Sequence, residues 1–154
     1  MDMVKVMTLL IAAASVAVGA DFSIQVGNPV AADAKKIDKV KASVMAVRAQ
    51  GCSDLGKATF TGTAVRVIGG KRESAALAFA EGSAPGAFAV IGGWSAPTPW
   101  IAVMTAECLG AKAGAVISVN EQGTYVREAS RFLAHAPTDA EIEAVLKTLK
   151  GGSQ

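Results

Sequence analysis

The chain has 154 residues, 15 lysines and arginines against 13 aspartates and glutamates, one histidine and a formal net charge of +2. So even a balance, with only Lys35-Lys36 and Lys71-Arg72 adjacent, leaves no electrostatic footprint for nucleic acid or for an anionic membrane surface. The length fits one domain with a real core, not several.

The first twenty residues read as a secretory signal. Lys5 and the α-amino group, partly offset by Asp2, make a weakly positive start, and Val6 to Val18 runs without a charge. An apolar run of about 13 residues suits a signal peptide and falls short of the ~20 that span a bilayer. Val18-Gly19-Ala20 supplies the small residues that signal peptidase requires. Cleavage is expected between Ala20 and Asp21, with Gly19 as second choice; Ala32-Asp33-Ala34 lies too far beyond the apolar run. No cysteine stands directly after that run, which excludes a lipoprotein signal. The mature chain, residues 21–154, is then one exported domain, periplasmic or extracellular and of bacterial type, with no membrane anchor.

Strand signals recur along the mature chain at short spacing. Phe22, Ile24 and Val26 alternate with polar residues until Gly27-Asn28-Pro29. Ala31 to Lys41, charged and alanine-rich, reads as a loop or a short helix. Ser43 to Gln50 reads as a strand with Met45, Val47 and Ala49 on one face. In Ala58 to Ile68, Thr59, Thr61 and Thr63 share a face, with Phe60, Gly62 and Ala64 opposite. Val65 and Val67 keep the parity of the threonines, so either both faces turn apolar there or a bulge re-aims the strand. Gly69-Gly70 is a hairpin signal leading into Lys71 to Ala80, where Ala75, Leu77 and Phe79 are expected to point inward. Phe88, Val90 and Trp94 line the next expected strand, and Ser95 to Pro99 breaks it. Trp100 to Cys108, Ala113 to Asn120 and Thr124 to Phe132 complete the set.

The period then changes. Thr138-Asp139-Ala140-Glu141 fits a capping box, in which the Thr hydroxyl and the Glu carboxylate each satisfy an orphan backbone N–H. Ile142, Val145, Leu146 and Leu149 recur at helical spacing, predicting a helix over about 138–150. Seven or eight short strands with frequent turns and one terminal helix predict a mainly β protein, an antiparallel sandwich. Two cysteines, Cys52 and Cys108, follow the signal, and in an oxidising compartment such a pair is expected to form a disulfide.

The stretch Pro85 to Glu107, PGAFAVIGGWSAPTPWIAVMTAE, has a Pro-Gly turn, an alternating strand, a break, and then Pro-Trp followed by alternating apolar residues. Together with the hairpin from Thr59 it resembles the small extracytoplasmic immunoglobulin-like modules of the YtkA-like kind, over about residues 59–107. The resemblance implies an exported Ig-like sandwich and says little about activity. Antibody-type domains carry a Tyr two residues before the second Cys, where this chain has Ala106. No Trp sits a dozen residues after Cys52 either, so the pair is not to be equated with the core bridge of those domains. Some extracytoplasmic sandwiches of this size bind copper through His and Met, a ligand set largely missing here.

Candidate chemistry is sparse. His135, the single histidine, could serve as a base or ligand, but one ligand does not make a zinc or copper site, and a surface or capping role is the ordinary one. Met45 and Met104 fall in strand interiors, where core packing is their ordinary part. Gly82-Ser83-Ala84-Pro85-Gly86 is not a nucleophile elbow, and Gly69-Gly70-Lys71 joins two strands where a phosphate loop would join a strand to a helix. Glu73, Glu81 and Glu107 are the carboxylates available for paired-acid chemistry. No cofactor motif is present. Trp94 and Trp100 flank Ser95 to Pro99; at least one is expected in the core, and Trp94, Pro97, Pro99 and Trp100 together form the best candidate binding surface. The function these residues favour is a non-enzymatic binding or structural module with a protein or carbohydrate partner. The alternative is a small extracytoplasmic enzyme or metal carrier using His135.

Overall fold

The computed structural model describes residues 22–28, 44–52, 58–82 and 86–149. The expected signal peptide, its Ala20/Asp21 cleavage point and the segment 31–41 lie outside the described residues. In chain order the elements are β1 (Ser23–Gly27), β2 (Ala46–Gln50), β3 (Thr59–Ile68), β4 (Lys71–Ala76), β5 (Ala78–Glu81), β6 (Ala87–Ile91), β7 (Trp100–Cys108), β8 (Ala111–Val119), β9 (Tyr125–Leu133) and α1 (Asp139–Leu146). They form two antiparallel sheets, one ordered β1-β2-β6-β5 and the other β4-β3-β7-β8-β9.

Period-two alternation decides which side chains enter the space between the sheets. Ile24 and Val26 of β1, Val47 and Ala49 of β2, and Ala102, Met104 and Ala106 of β7 all point into one core. Met45 and Met104 are fully buried there. Phe60 stacks on Phe79 at 5.6 Å and meets Phe88 at 5.3 Å, joining three strands through aromatic contact.

The second sheet is covered on its outer face too. Val65, Ile101 and Val116 point away from the first core and meet Val145, Leu146 and Leu149 of the helical segment. This accounts for the parity of β3: Thr59 and Thr61 are exposed, while Val65, on the same face, lies under the helix. It also explains why Ala113 to Val119 of β8 are all buried, since a strand covered on both faces loses its polar alternation.

The Lys71 to Ala80 stretch, expected as one strand, is two. β4 stays with β3, from Ile68↔Lys71 to Thr63↔Ala76, whereas β5 pairs with β6 in the other sheet. The chain changes sheets at Leu77, which is buried while all six residues of β4, Ala75 included, are exposed. An edge strand of Lys, Arg, Glu, Ser and Ala has nothing to bury, so inward alternation begins only at Leu77. Nine strands result among the described residues. Trp94 also falls outside its expected strand, because β6 ends at Ile91.

The expected helix is shorter than its stripe. Thr138 caps α1 with a complete capping box, and the regular helix ends at Leu146, with Lys147 as its C-cap. Leu149 is nonetheless buried, its N–H reaching the Leu146 carbonyl at 3.1 Å in a tight final turn. The connection from β9 crosses closely over Gly114, where a β-carbon would stand 2.5 Å from the His135 carbonyl and 2.6 Å from the Pro137 ring. Cys52, just past β2, and Cys108, the last residue of β7, form a disulfide with Cα atoms 5.9 Å apart. The bridge therefore links the two sheets at one end of the molecule.

Candidate functional site

Nine residues of β7 span about 27 Å, so Trp100, at its start, marks the end of the sandwich away from the disulfide. Its indole is 1 % exposed and belongs to the core. Trp94 is only partly buried and meets Trp100 edge-on, with ring centroids 6.2 Å apart at 74°, a favoured aromatic arrangement. The Arg66 guanidinium lies 4.5 Å over the Trp94 ring and is held by Glu73 through contacts of 2.8 and 2.7 Å. Surface pairs of this type add little stability; here the pair fixes the plane that covers Trp94.

The loops at this end are braced from within. Ala96-Pro97 is a cis peptide, and the Thr98 N–H donates to the Ser95 carbonyl at 3.1 Å. In the β8–β9 turn, the Asn120 side-chain oxygen accepts from the N–H groups of Gln122 and Thr124, both at 3.0 Å. Between the two loops is a hollow of about 230 Å³. Trp94, Trp100, Ala96 and Val44 give it apolar walls, Ser95 and Gln122 are its polar side chains, and backbone at Gly92 and Gly123 completes it. Trp100 Nε1 is buried and has no hydrogen-bond partner, the single buried side-chain polar atom of that kind among the described residues.

The four residues of the expected binding surface thus separate. Trp94 and Trp100 line this hollow, Trp100 as a core wall and not as an exposed anchor. Pro99 lines a neighbouring hollow of about 270 Å³ with Ser118, Gln122, Thr148 and Leu149, and Pro97 is exposed on the loop between. Gln122 borders both hollows. Arg66, Val44, Gln122 and Gly123 were not among the expected site residues, since each comes from a segment distant in sequence. The Gly92-Gly93 doublet before Trp94 was the one local cue, both glycines having positive φ, 133° and 83°.

Elsewhere chemistry is thin. His135 is exposed, with Nδ1 2.9 Å from the Ala136 carbonyl oxygen and Nε2 3.5 Å from the Glu141 carboxylate. Glu141 itself accepts the Thr138 backbone N–H at 2.8 Å. That bond, above all, lowers the Glu141 pKa; the Thr138 hydroxyl, His135 and Arg131 act in the same direction, against desolvation. Among the described residues no three His, Cys, Asp or Glu side chains gather as a metal site. Glu73 is engaged by Arg66, while Glu81 ends β5 in one sheet and Glu107 lies in β7 of the other. A larger trough of about 470 Å³ runs along the edge between β1 and β9, bordered by Ser23, Gln25 and Arg127; it is a polar surface and less suited to capture than the tryptophan-lined hollow. Comparison with protein families, curated proteins and solved structures gives no match to this chain.

Proposed function

We propose that this protein is an exported, non-enzymatic binding module with an immunoglobulin-like sandwich, and that the hollow between Trp94 and Trp100 is its binding surface. The observation that carries the reading is the hollow itself: a concave, mostly apolar site with few polar groups, set by short braced loops at one end of a rigid scaffold. Such sites are where β-sandwiches and other folds hold ligands. The Ig-like assignment draws support from strand order. With β1 to β8 taken as A, B, C, C′, D, E, F and G, the sheets read A-B-E-D and C′-C-F-G, the order of that fold, with β9 added at the edge. The likeness to YtkA-like modules rests on residues 59–107 and concerns fold only.

Export draws support from the Cys52–Cys108 disulfide, a bond that persists in oxidising compartments, and from the signal-like first twenty residues. No helix among the described residues is long and apolar enough to cross a membrane. A metal-carrier or catalytic role for His135 has less behind it, because its ring nitrogens already face the Ala136 carbonyl and Glu141, both at the helix cap.

Two measurements test the reading. Titrating the mature domain with small aromatic and alicyclic probes (phenol, toluene, cyclohexanol) should shift the backbone amide signals of residues 92–96 and 120–124. Shifts confined to other faces, or none at millimolar probe, would remove the hollow as a binding surface. Fractionating cells that express the full chain should yield a product beginning at Asp21 outside the cytoplasm. A cytoplasmic product retaining Met1 would defeat the export claim.

A further inference from the structure

We infer that the hollow receives the Leu109 side chain of a second copy of this chain, so that copies associate head to tail. The inference rests on the reading of the hollow as a binding surface and names its occupant.

Leu109 breaks the local rules of its turn. With Gly110 it forms the two-residue connection between β7 and β8, where Cys108 stands opposite Ala111. Both turn residues have positive φ, 52° and 85°, the pattern of a type I′ turn, which favours Asn-Gly or Asp-Gly. Leu109 is the single non-glycine residue with positive φ among the described residues, and a side chain that bulky is an outlier in this region. It is also the most exposed large apolar residue among them, at 75 %. A lone exposed leucine needs no explanation. One held out on a strained turn, where Asn would fit better, carries the mark of a functional position.

Tip and hollow match in size, polarity and charge. The hollow of about 230 Å³ exceeds the ~150 Å³ cavity that accepts benzene, and the isobutyl group of leucine is smaller than benzene. Trp94, Trp100, Ala96 and Val44 supply apolar walls. Ser95 and Gln122 offer donors and acceptors to the peptide groups that a tight turn leaves unpaired. No charged side chain lines the hollow, and at the tip Glu107 and Lys112 stand opposite each other, so their charges cancel. With a net charge of +2, copies repel one another little. Within one chain the contact cannot form, because the nine residues of β7 hold tip and hollow about 27 Å apart. Between copies it is heterologous: a bound pair still presents one free tip and one free hollow, so association continues past a dimer. A single anchor buries far less than a standard interface, which makes the association weak.

The test is sedimentation of the mature protein over a concentration series. From about 10 μM to about 1 mM, the range in which an interface this small assembles, the apparent mass should rise past that of a dimer. The Leu109 methyl signals should move upfield as they meet the indole faces. Leu109→Asn, which suits the turn, should stay monomeric while its unfolding midpoint equals or exceeds that of wild type. Ser95→Trp, which fills the hollow, should stay monomeric too, and toluene should dissociate wild-type chains without any substitution. Mixed, the two variants should pair one to one and stop there, since only one tip and one hollow remain. Wild type that is monomeric throughout, or that stops at a dimer, would overturn the inference. So would a Leu109→Asn protein that associates like wild type, or a mixture of variants that does not pair. In each of these cases, toluene shifts at residues 92–96 would leave the binding surface standing, and their absence would remove both claims.

Discussion

The six-membered ring of Trp100 lies against the backbone of Gly93 so closely that any β-carbon at position 93 would overlap it. Gly93 also has φ +83°, a region in which side chains other than glycine's are strained. Gly93→Ala should therefore meet two penalties together: about 1–3 kcal/mol for overpacking and about 1–2 kcal/mol for the backbone. Denaturant unfolding should register a loss of about 2–5 kcal/mol, with tryptophan emission shifted as the indole is displaced. A loss within about 0.5 kcal/mol, typical of unconstrained surface positions, would mean that the contact is not tight.

Leu146 tests the docking of α1. It is 5 % exposed and shares a cluster with Val65, Ile101 and Val116 of the second sheet. A helix of eight residues is not stable alone in water, so this packing is what holds it. Leu146→Ala should cost about 2–5 kcal/mol, and Thr138→Ala, which removes the cap, about 1 kcal/mol. The reverse ranking in urea unfolding would indicate that the helix stands by its cap and not by its stripe.

The disulfide ties β2 to β7 across a sequence separation of 56 residues. In the chain-entropy account a loop of that size gives roughly 4 kcal/mol. The Cys52→Ala, Cys108→Ala double variant should fold, with a midpoint lowered by an amount matching a few kcal/mol. Thiol counting on the denatured, unreduced protein should find no free thiol from either residue.

Acid should weaken the helix cap. The Thr138 backbone N–H, with smaller help from the Thr138 hydroxyl, His135 and Arg131, holds the folded Glu141 carboxyl below its ordinary value. A pKa lowered by folding contributes stability that is present above the unfolded value, about 4.3 for glutamate. That contribution is lost as pH falls from there through the folded pKa. Glu141→Gln keeps an acceptor for the Thr138 N–H but has no charge to lose. Thermal unfolding across the acid range should find wild type ahead of this variant at neutral pH, and the gap closing below pH of about 4. A gap independent of pH would exclude the charge as its source.

The local chemistry of the sequence determined a good deal. Alternation in β1 and β2, the Gly69-Gly70 hairpin and the Thr138 capping box all depend on neighbours within a few residues, and each is legible from them. The cysteine pair was legible as well, because two thiols after a signal-like start are expected to pair. What alternation cannot specify is which sheet a strand joins or what covers its second face. The change of sheets at Leu77 follows from the burial of Leu77 and the stacking of Phe79 on Phe60, about twenty residues away in sequence. Val65 and Val67 share the parity of the threonines because a helix more than seventy residues later lies over them. The hollow was the least legible part. Its walls come from Val44, from the loop after β6 and from the turn after β8, and only the pairing of β7 with β8, Trp100 opposite Val119, brings that turn to the tryptophans. A sequence can mark two tryptophans as important; only packing over these distances decided that Trp100 is buried in the core while Trp94 stays partly exposed beside the hollow.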